Sequence, residues 1–213
     1  MMDLVIWGAG GHAKVVFDTA VAMGYTRVRF IDDRAAAPAE LYGCAITAPP
    51  GETPSINSSI VEFIVAIGDN RARFRCYSQG LQQGWIPATL IHPSAEVSPH
   101  CEISPGCVVF PRAVINAGSF IGPNCIINTG AIVEHDCRLS GHVHISPAAT
   151  LGGNVQVGAF AHVGIGACVL PGCRIGEGSI IGAGSVILTS IPDEVTAVGV
   201  PARILSLSKA GAR

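Results

Sequence analysis

The chain has 213 residues, 49% of them apolar, 13% charged and 6% aromatic, and a formal net charge of −2. That apolar content with so little charge excludes intrinsic disorder, and the near-neutral balance provides no basic footprint for nucleic acid or anionic lipid. No uncharged apolar run approaches roughly 18 residues, and the start, MMDLVIWGAGGHAK, carries an acid where a signal peptide has bases, so a cytoplasmic protein with no membrane span is expected.

In chain order, residues 4–7 (LVIW) form a buried-strand run that meets a glycine turn, GAGGH, at 8–12. A helical stretch follows with Ala13, Val16, Phe17 and Ala20 on one side, then a strand at 28–31 ending in Asp32 and Asp33. A second buried run at 61–67 ends in Gly68-Asp69-Asn70, residues 71–83 read as a helix, and 85–90 as a strand. Strand, glycine turn, helix, strand is the βαβ pattern, so residues 1–90 predict a small Rossmann-like parallel sheet that binds its ligand at the strand C-terminal ends. Gly8, Gly10 and Ala13 fit G-x-G-x-x-A: the turn lets a ligand approach, the helix N-terminus attracts phosphate, and an acid after the second strand accepts hydrogen bonds from a ribose or base. Taken alone, the turn also fits a purely folding role. Some ninety residues supply little more than one mononucleotide half, which favours a nucleotide-linked ligand over NAD.

From Ile91 to Ile187 every sixth residue is Ile, Val or Leu, seventeen in succession without a slip. Two residues before each of these, from Ala95 to Ser185, stands Ala, Cys, Ser or Val. Residues two apart on a strand share a face, so each hexad holds a very short strand with one small and one aliphatic side chain inward. The following residues are rich in Gly, Pro, Asn and Ser, which make corners; glycines directly after the aliphatic, such as Gly122 and Gly152, suit one. Five of the eight cysteines (Cys101, Cys107, Cys125, Cys137 and Cys173) occupy the small inward position, where a thiol is an apolar filler. No CxxC pair suggests a metal.

The same register orients the histidines. His135 falls on a corner, while His144 points outward from the middle of the side opposite, so the two cannot touch within one chain. His144 and His162, 18 residues apart, stack in adjacent coils. His135 lies between Glu134 and Asp136, and a carboxylate beside an imidazole can fix its tautomer for general-base work. Spacing alone fits a solvated surface histidine equally well. Outward apolar residues such as Val108, Phe120, Ile126, Ile132 and Ile180 suit burial by a partner.

The repeat resembles the hexapeptide repeat of left-handed parallel β-helices, three hexads per turn. With the βαβ domain it resembles the bacterial acyltransferases of nucleotide-sugar and sialic acid metabolism, on GAGGH (8–12), FIDD (30–33), AIGDN (66–70), NTGAIVEHDC (128–137) and VGVPA (198–202). The resemblance implies an α/β N-terminal domain (1–90), a left-handed β-helix acyl-CoA domain (91–192) and a C-terminal tail (193–213). It implies N-acetylation of a nucleotide-linked 4-amino-4,6-dideoxy sugar by acetyl-CoA without a metal, in a homotrimer with sites between subunits. By position, His135 is the general base and Asp136 the carboxylate that activates it, in place of the family's frequent Glu. His144 contacts the thioester region, and Gly153, Ile165 and Ala183 line the pantetheine path. Gly10, Gly11, His12, Asp32, Asp33, Gly68 and Asn128 bind the nucleotide sugar. The alternatives are a sialic acid O-acetyltransferase, a serine acetyltransferase-like enzyme, and a scaffold or zinc-binding hexapeptide protein; a zinc site of the gamma carbonic anhydrase kind would need His135, His144 and His162 to converge between subunits.

Overall fold

The computed structural model describes residues 3–32, 34, 40–49 and 61–207; Asp33 lies outside them. The N-terminal domain runs β1 (Asp3–Trp7), α1 (Gly11–Ala22), β2 (Val28–Ile31), β3 (Glu40–Leu41), β4 (Cys44–Thr47), β5 (Val61–Val65), α2 (Asn70–Gln82) and β6 (Ile86–Pro87). Its sheet has the order β3-β4-β2-β1-β5-β6, parallel except for the β3–β4 pair. The central strand β1 is apolar from Leu4 to Trp7, where both of its faces are covered. Leu4 and Ile6 pack with Ala13, Val16 and Ala20 of α1, whereas Val5 and Trp7 pack with Phe63 and with Tyr77 of α2. The β3–β4 hairpin is absent from the sequence reading; its turn places Tyr42 and Gly43 at φ 51° and 74°, the left-handed pair that a two-residue hairpin loop uses.

Residues 90–187 form a three-faced parallel coil of seventeen two-residue strands, β7 (Leu90–Ile91) to β23 (Val186–Ile187) in chain order. The first face holds Leu90–Ile91, Val108–Val109, Ile126–Ile127, His144–Ile145, His162–Val163 and Ile180–Ile181. The second runs from Glu96–Val97 through Ile132–Val133 to Val186–Ile187, and the third from Glu102–Ile103 through Arg138–Leu139 to Arg174–Ile175. Paired strands are offset by 18 residues, as Ile126↔His144 shows. The inward aliphatics from Val109 to Ile187 are 3% exposed or less, and each contributes about 1.5–3 kcal/mol by burial. The small inward partners let three faces converge: Cys107, Cys125 and Cys137 are fully buried, while Cys168, an outward residue, is exposed.

Every sixth residue from Gly106 to Gly184 has left-handed backbone, and half of these corner residues are not glycine, Asn124, Asp136 and His142 among them. Glycines directly after the aliphatic serve another purpose than the corner expected of them. At Gly122 a Cβ would lie 2.7 Å from the carbonyl carbon of Ser140 in the next coil, so this position is small because successive coils approach closely there.

The N-terminal domain sits on the first face. Val108 and Ile126, expected to await a partner, are 1% and 0% exposed because they pack with Leu4, Ile6 and Ala13 of their own chain. Phe120 and Ile132, on the other two faces, remain half-buried, and Ile180 is exposed. Two residues of α2 fasten the seam. Asn70 Nδ2 donates to the Phe160 and Ala161 carbonyls at 2.7 and 3.0 Å. Arg73, 1% exposed, donates to the Asn124 and His142 carbonyls of the coil at 3.0 and 2.9 Å and to the Ile67 and Gly68 carbonyls of its own domain, each at 3.2 Å. Beyond residue 192, β24 (Val195–Gly199) continues the first face beside Ile180–Ile181 and β25 (Ala202–Leu207) returns antiparallel to it.

Candidate active site

The first element of the site is a cleft of about 520 Å³ at the C-terminal ends of β1, β2 and β5. Gly8, at φ 116°, turns the chain out of β1; a Cβ there would stand 2.9 Å from the Ala66 carbonyl oxygen, so no larger residue fits. Gly10 then caps α1 without any side-chain hydrogen bond, and a helix so begun leaves its first N–H groups open to an anion. The neighbouring helix α2 is closed instead, because Asp69 Oδ1 accepts from Ala72 N at 2.7 Å. Gly10, Gly11, His12, Asp32 and Gly68, five residues expected to bind the nucleotide sugar, line this one cleft.

Asp32 is 8% exposed. Its carboxylate accepts from Ala9 N at 2.7 Å and from Arg34 Nε and Nη2 at 2.9 and 2.7 Å. The Arg34 hydrogen bonds hold it below the usual carboxylate range against the opposing effect of burial. Arg34 was not singled out in the sequence, yet it lines the cleft with Asp32, and a Cβ at Gly10 would lie 3.6 Å from its Nη2. His12 Nε2 and Trp7 Nε1 are buried beside the cleft with no hydrogen-bond partner among the described residues.

Asn128 and His144 do not line the cleft but connect to it through Gly68. Thr129 N–H donates to Asn128 Oδ1 at 2.8 Å, which turns the amide nitrogen toward His144 Nε2 at 3.1 Å. His144 Nε2 is therefore an acceptor, and its Nδ1–H donates to the Gly68 carbonyl at 3.3 Å. The coil thus holds the Gly68 loop through one imidazole of defined tautomer. His162 stacks on His144 at 4.6 Å between centroids and takes a 2.7 Å hydrogen bond with Ser146 Oγ.

Burial, assisted by the charge of Arg73, lowers His12 and His142 to about 4. Burial, followed by the influence of His162, Arg73 and His12, lowers His144 to about 3. These histidines stay neutral in the folded chain below the ordinary imidazole value of about 6.5, where the unfolded chain takes up protons. Their stabilising contribution is therefore complete above about pH 6.5 and is lost as pH falls toward about 4, at up to about 1.4 kcal/mol per pH unit for each. Urea titrations at pH 7.5, 6 and 5 should show the midpoint falling with pH, and His142→Gln should make that fall shallower; a midpoint flat with pH would contradict the seam's neutrality.

The second element is the His135 corner. Its imidazole Nδ1 pairs with Asp136 Oδ2 at 2.9 Å, and both side chains are about two-thirds exposed. Glycines above and below make the space. A Cβ at Gly153, one coil on, would come within 2.5 Å of His135 Cε1 and Nε2, and a Cβ at Gly118, one coil back, would strike the Asp136 carboxylate. Glu134 turns elsewhere and accepts from Asn116 Nδ2 at 3.0 Å.

Within one chain these two elements are apart. His144 lies on the first face beneath the N-terminal domain, while His135 lies on the edge between the second and third faces. Of the three positions expected along the pantetheine path, Gly153 underlies His135, whereas Ile165 and Ala183, both exposed, stack at the opposite edge of the second face. No cluster of three or more His, Cys, Asp or Glu side chains able to hold a metal ion occurs among the described residues.

Comparison with known proteins supplies the decision. The PglD N-terminal domain family matches residues 3–79, and the bacterial transferase hexapeptide family matches 148–189. The structure of a perosamine N-acetyltransferase variant from Caulobacter crescentus, in complex with CoA and GDP-perosamine, is 40% identical. It superposes with a TM-score of 0.90 over 97% of this chain and 98% of that one. The chain belongs to the hexapeptide-repeat sugar acetyltransferases. Its coil is accordingly the left-handed β-helix of that family, preceded by the α/β domain. The acetyltransferase domain of PglB from Neisseria gonorrhoeae is 38% identical, with a TM-score of 0.89 over 96% of this chain and all of that one. Some curated sequences match locally: a serine acetyltransferase of Buchnera aphidicola is 50% identical over 44 residues, 21% of this chain and 16% of the relative. A galactoside O-acetyltransferase of Lactococcus lactis is 52% identical over 42 residues, 20% of each. The chain thus spans a fifth or less of the length of these curated relatives.

Proposed function

We propose that this protein transfers an acetyl group from acetyl-CoA to the amino group of a nucleotide-linked 4-amino-4,6-dideoxy sugar, with His135 as general base, in the cytoplasm. The observation that carries this reading is the His135–Asp136 pair on an exposed corner. Asp136 engages Nδ1, and the ring's other nitrogen faces outward over Gly153 as a proton acceptor. The amine lone pair attacks the thioester carbonyl carbon while Nε2 of His135 takes an amine proton, and the tetrahedral oxyanion then collapses. The C–S bond breaks, the amide remains on the sugar, and the proton passes from His135 to the departing CoA thiolate. Much of the rate comes from holding the two substrates together, so no acyl-enzyme is required.

The nucleotide cleft sits against the first face and His135 points away from it, so the complete site needs two copies of the chain. A homotrimer provides this when the His135 corner of one copy meets the N-terminal domain of the next. The same meeting brings Gly153 of one copy toward Ile165 and Ala183 of another, along which the pantetheine arm would run. His144 and Asn128 then shape the acceptor side through the Gly68 loop. Full-length similarity to a protein bound to GDP-perosamine supports an amino-sugar acceptor over the hydroxyl acceptors of the locally matching O-acetyltransferases.

Thiol release from acetyl-CoA, followed across GDP-, UDP- and dTDP-linked 4-amino sugars and their 4-hydroxy counterparts, tests the reading. Turnover is expected with an amino sugar and not with its hydroxyl analogue. Turnover confined to the hydroxyl compounds would establish the O-acetyltransferase alternative instead.

A further inference from the structure

Among the described residues, one cation faces the nucleotide cleft without a charge partner of its own. Among the described lining residues the ionisable groups are His12, Asp32, Arg34, Arg75 and Cys76. Arg34 spends its guanidinium on the Asp32 carboxylate through paired hydrogen bonds, so that pair contributes little net charge. His12 is held neutral by burial. Arg75 is exposed, and no carboxylate among the described residues pairs with it. It lies on the side of α2 that carries Ala72, Cys76 and Gln79, and the helical spacing of these four places them together along one wall of the cleft. Opposite stands the uncapped beginning of α1 with Gly10 and Gly11.

A nucleoside diphosphate brings about two negative charges, which backbone N–H groups at a helix start satisfy only in part. We propose that Arg75 is the side chain that neutralises the diphosphate of the nucleotide-linked substrate, across the cleft from the start of α1, and so selects for a diphosphate linkage. A guanidinium presents its donors in a planar fork that matches two phosphate oxygens. Asp32, being acidic and turned inward, leaves the phosphate end of the cleft to Arg75 and the helix. This inference rests on the nucleotide-sugar reading above.

Binding measured by calorimetry, with no acetyl-CoA present, separates the two. The probes are GDP, UDP and dTDP, followed by the nucleoside of whichever binds best. For Arg75→Gln the dissociation constant of that diphosphate should rise about tenfold or more, a loss suited to one charge-assisted contact. Nucleoside binding should be unchanged, and Arg75→Lys should recover part of the loss. Arg75 is exposed, so the variant should keep the wild-type melting temperature. Unchanged diphosphate affinity in Arg75→Gln, or an equal loss for nucleoside and diphosphate, overturns the role of Arg75 and leaves the nucleotide-sugar reading standing. Failure of the wild-type protein to bind any of the three diphosphates overturns both.

Discussion

Replacing His135 by alanine should lower kcat for acetyl transfer about 10²–10⁴-fold, the span that a positioned general base supplies. The melting temperature should stay within a degree or two, because the side chain is about two-thirds exposed and its hydrogen bond goes to another exposed residue, Asp136. Binding of nucleotide should also be untouched, since the described residues that line the cleft all belong to the N-terminal domain. Asp136→Asn should fall less far: it retains a side chain that can contact Nδ1 but loses the carboxylate that favours the protonated ring during attack. A sharper form of the experiment uses two defective chains. Gly11→Asp sets a carboxylate at the start of α1, where a Cβ meets nothing within 4 Å, so the fold tolerates it while the phosphate site is repelled. His135→Ala and Gly11→Asp are each expected to be inactive alone. Co-expressed in equal amounts, random trimers should recover about a quarter of wild-type activity, because half the sites carry an intact base and half an intact cleft, independently. Recovery of nothing would mean that base and cleft belong to one chain, and would remove the shared site from the mechanism. Wild-type rates for His135→Ala would remove the base.

How much of this was legible beforehand differs between the two halves of the chain. The coil is a one-dimensional repeat, so a residue's number modulo 18 states its face, and the separation of His135 from His144 followed from counting. The stacking of His144 on His162 followed in the same way. Counting cannot say what covers a face. Val108 and Ile126 look alike whether a second copy or the chain's own N-terminal domain buries them, and it was the latter. In the N-terminal domain the glycine turn and the acid after β2 were visible as patterns, and they do meet in one cleft. Arg34 was not visible, because its importance lies in a bidentate hold on Asp32 two residues away rather than in any motif. The purpose of Gly153 was hidden for a related reason: a glycine among many glycines gives no sign that an imidazole rests on it until the coils are stacked.

Arg73 was hidden most deeply, and it carries the second large effect. The segment NRARFRCYSQGLQ has three arginines and reads as a solvated helix, yet the middle arginine is 1% exposed. Its charge persists at neutral pH, because burial brings it down only to about 10. Among the described residues no carboxylate hydrogen-bonds it; instead Nη2 donates to Asn70 Oδ1 at 2.7 Å and the remaining donors go to backbone carbonyls of both domains. The coil carbonyls it reaches first, those of Asn124 and His142, belong to left-handed corner residues and accept no other hydrogen bond among the described residues. Arg73→Met keeps much of the volume but leaves several buried acceptors unpaired, at about 1–3 kcal/mol each before relaxation. A net loss on the order of 3–5 kcal/mol is expected, large against the stability of most domains. Arg73→Lys should recover only part, since an ammonium has three donors and no fork. The loss should also be local. The coil core is continuous without the seam, so calorimetry of Arg73→Met should resolve an early transition for the N-terminal domain and a later one near the wild-type temperature for the coil. Gly68 accepts from both Arg73 and His144, so the same variant should weaken nucleotide binding while the domain is still folded. A single transition at the wild-type temperature would show that apolar packing of Leu4, Ile6 and Ala13 against Val108, Phe110 and Ile126 of the coil holds the domain without the buried guanidinium.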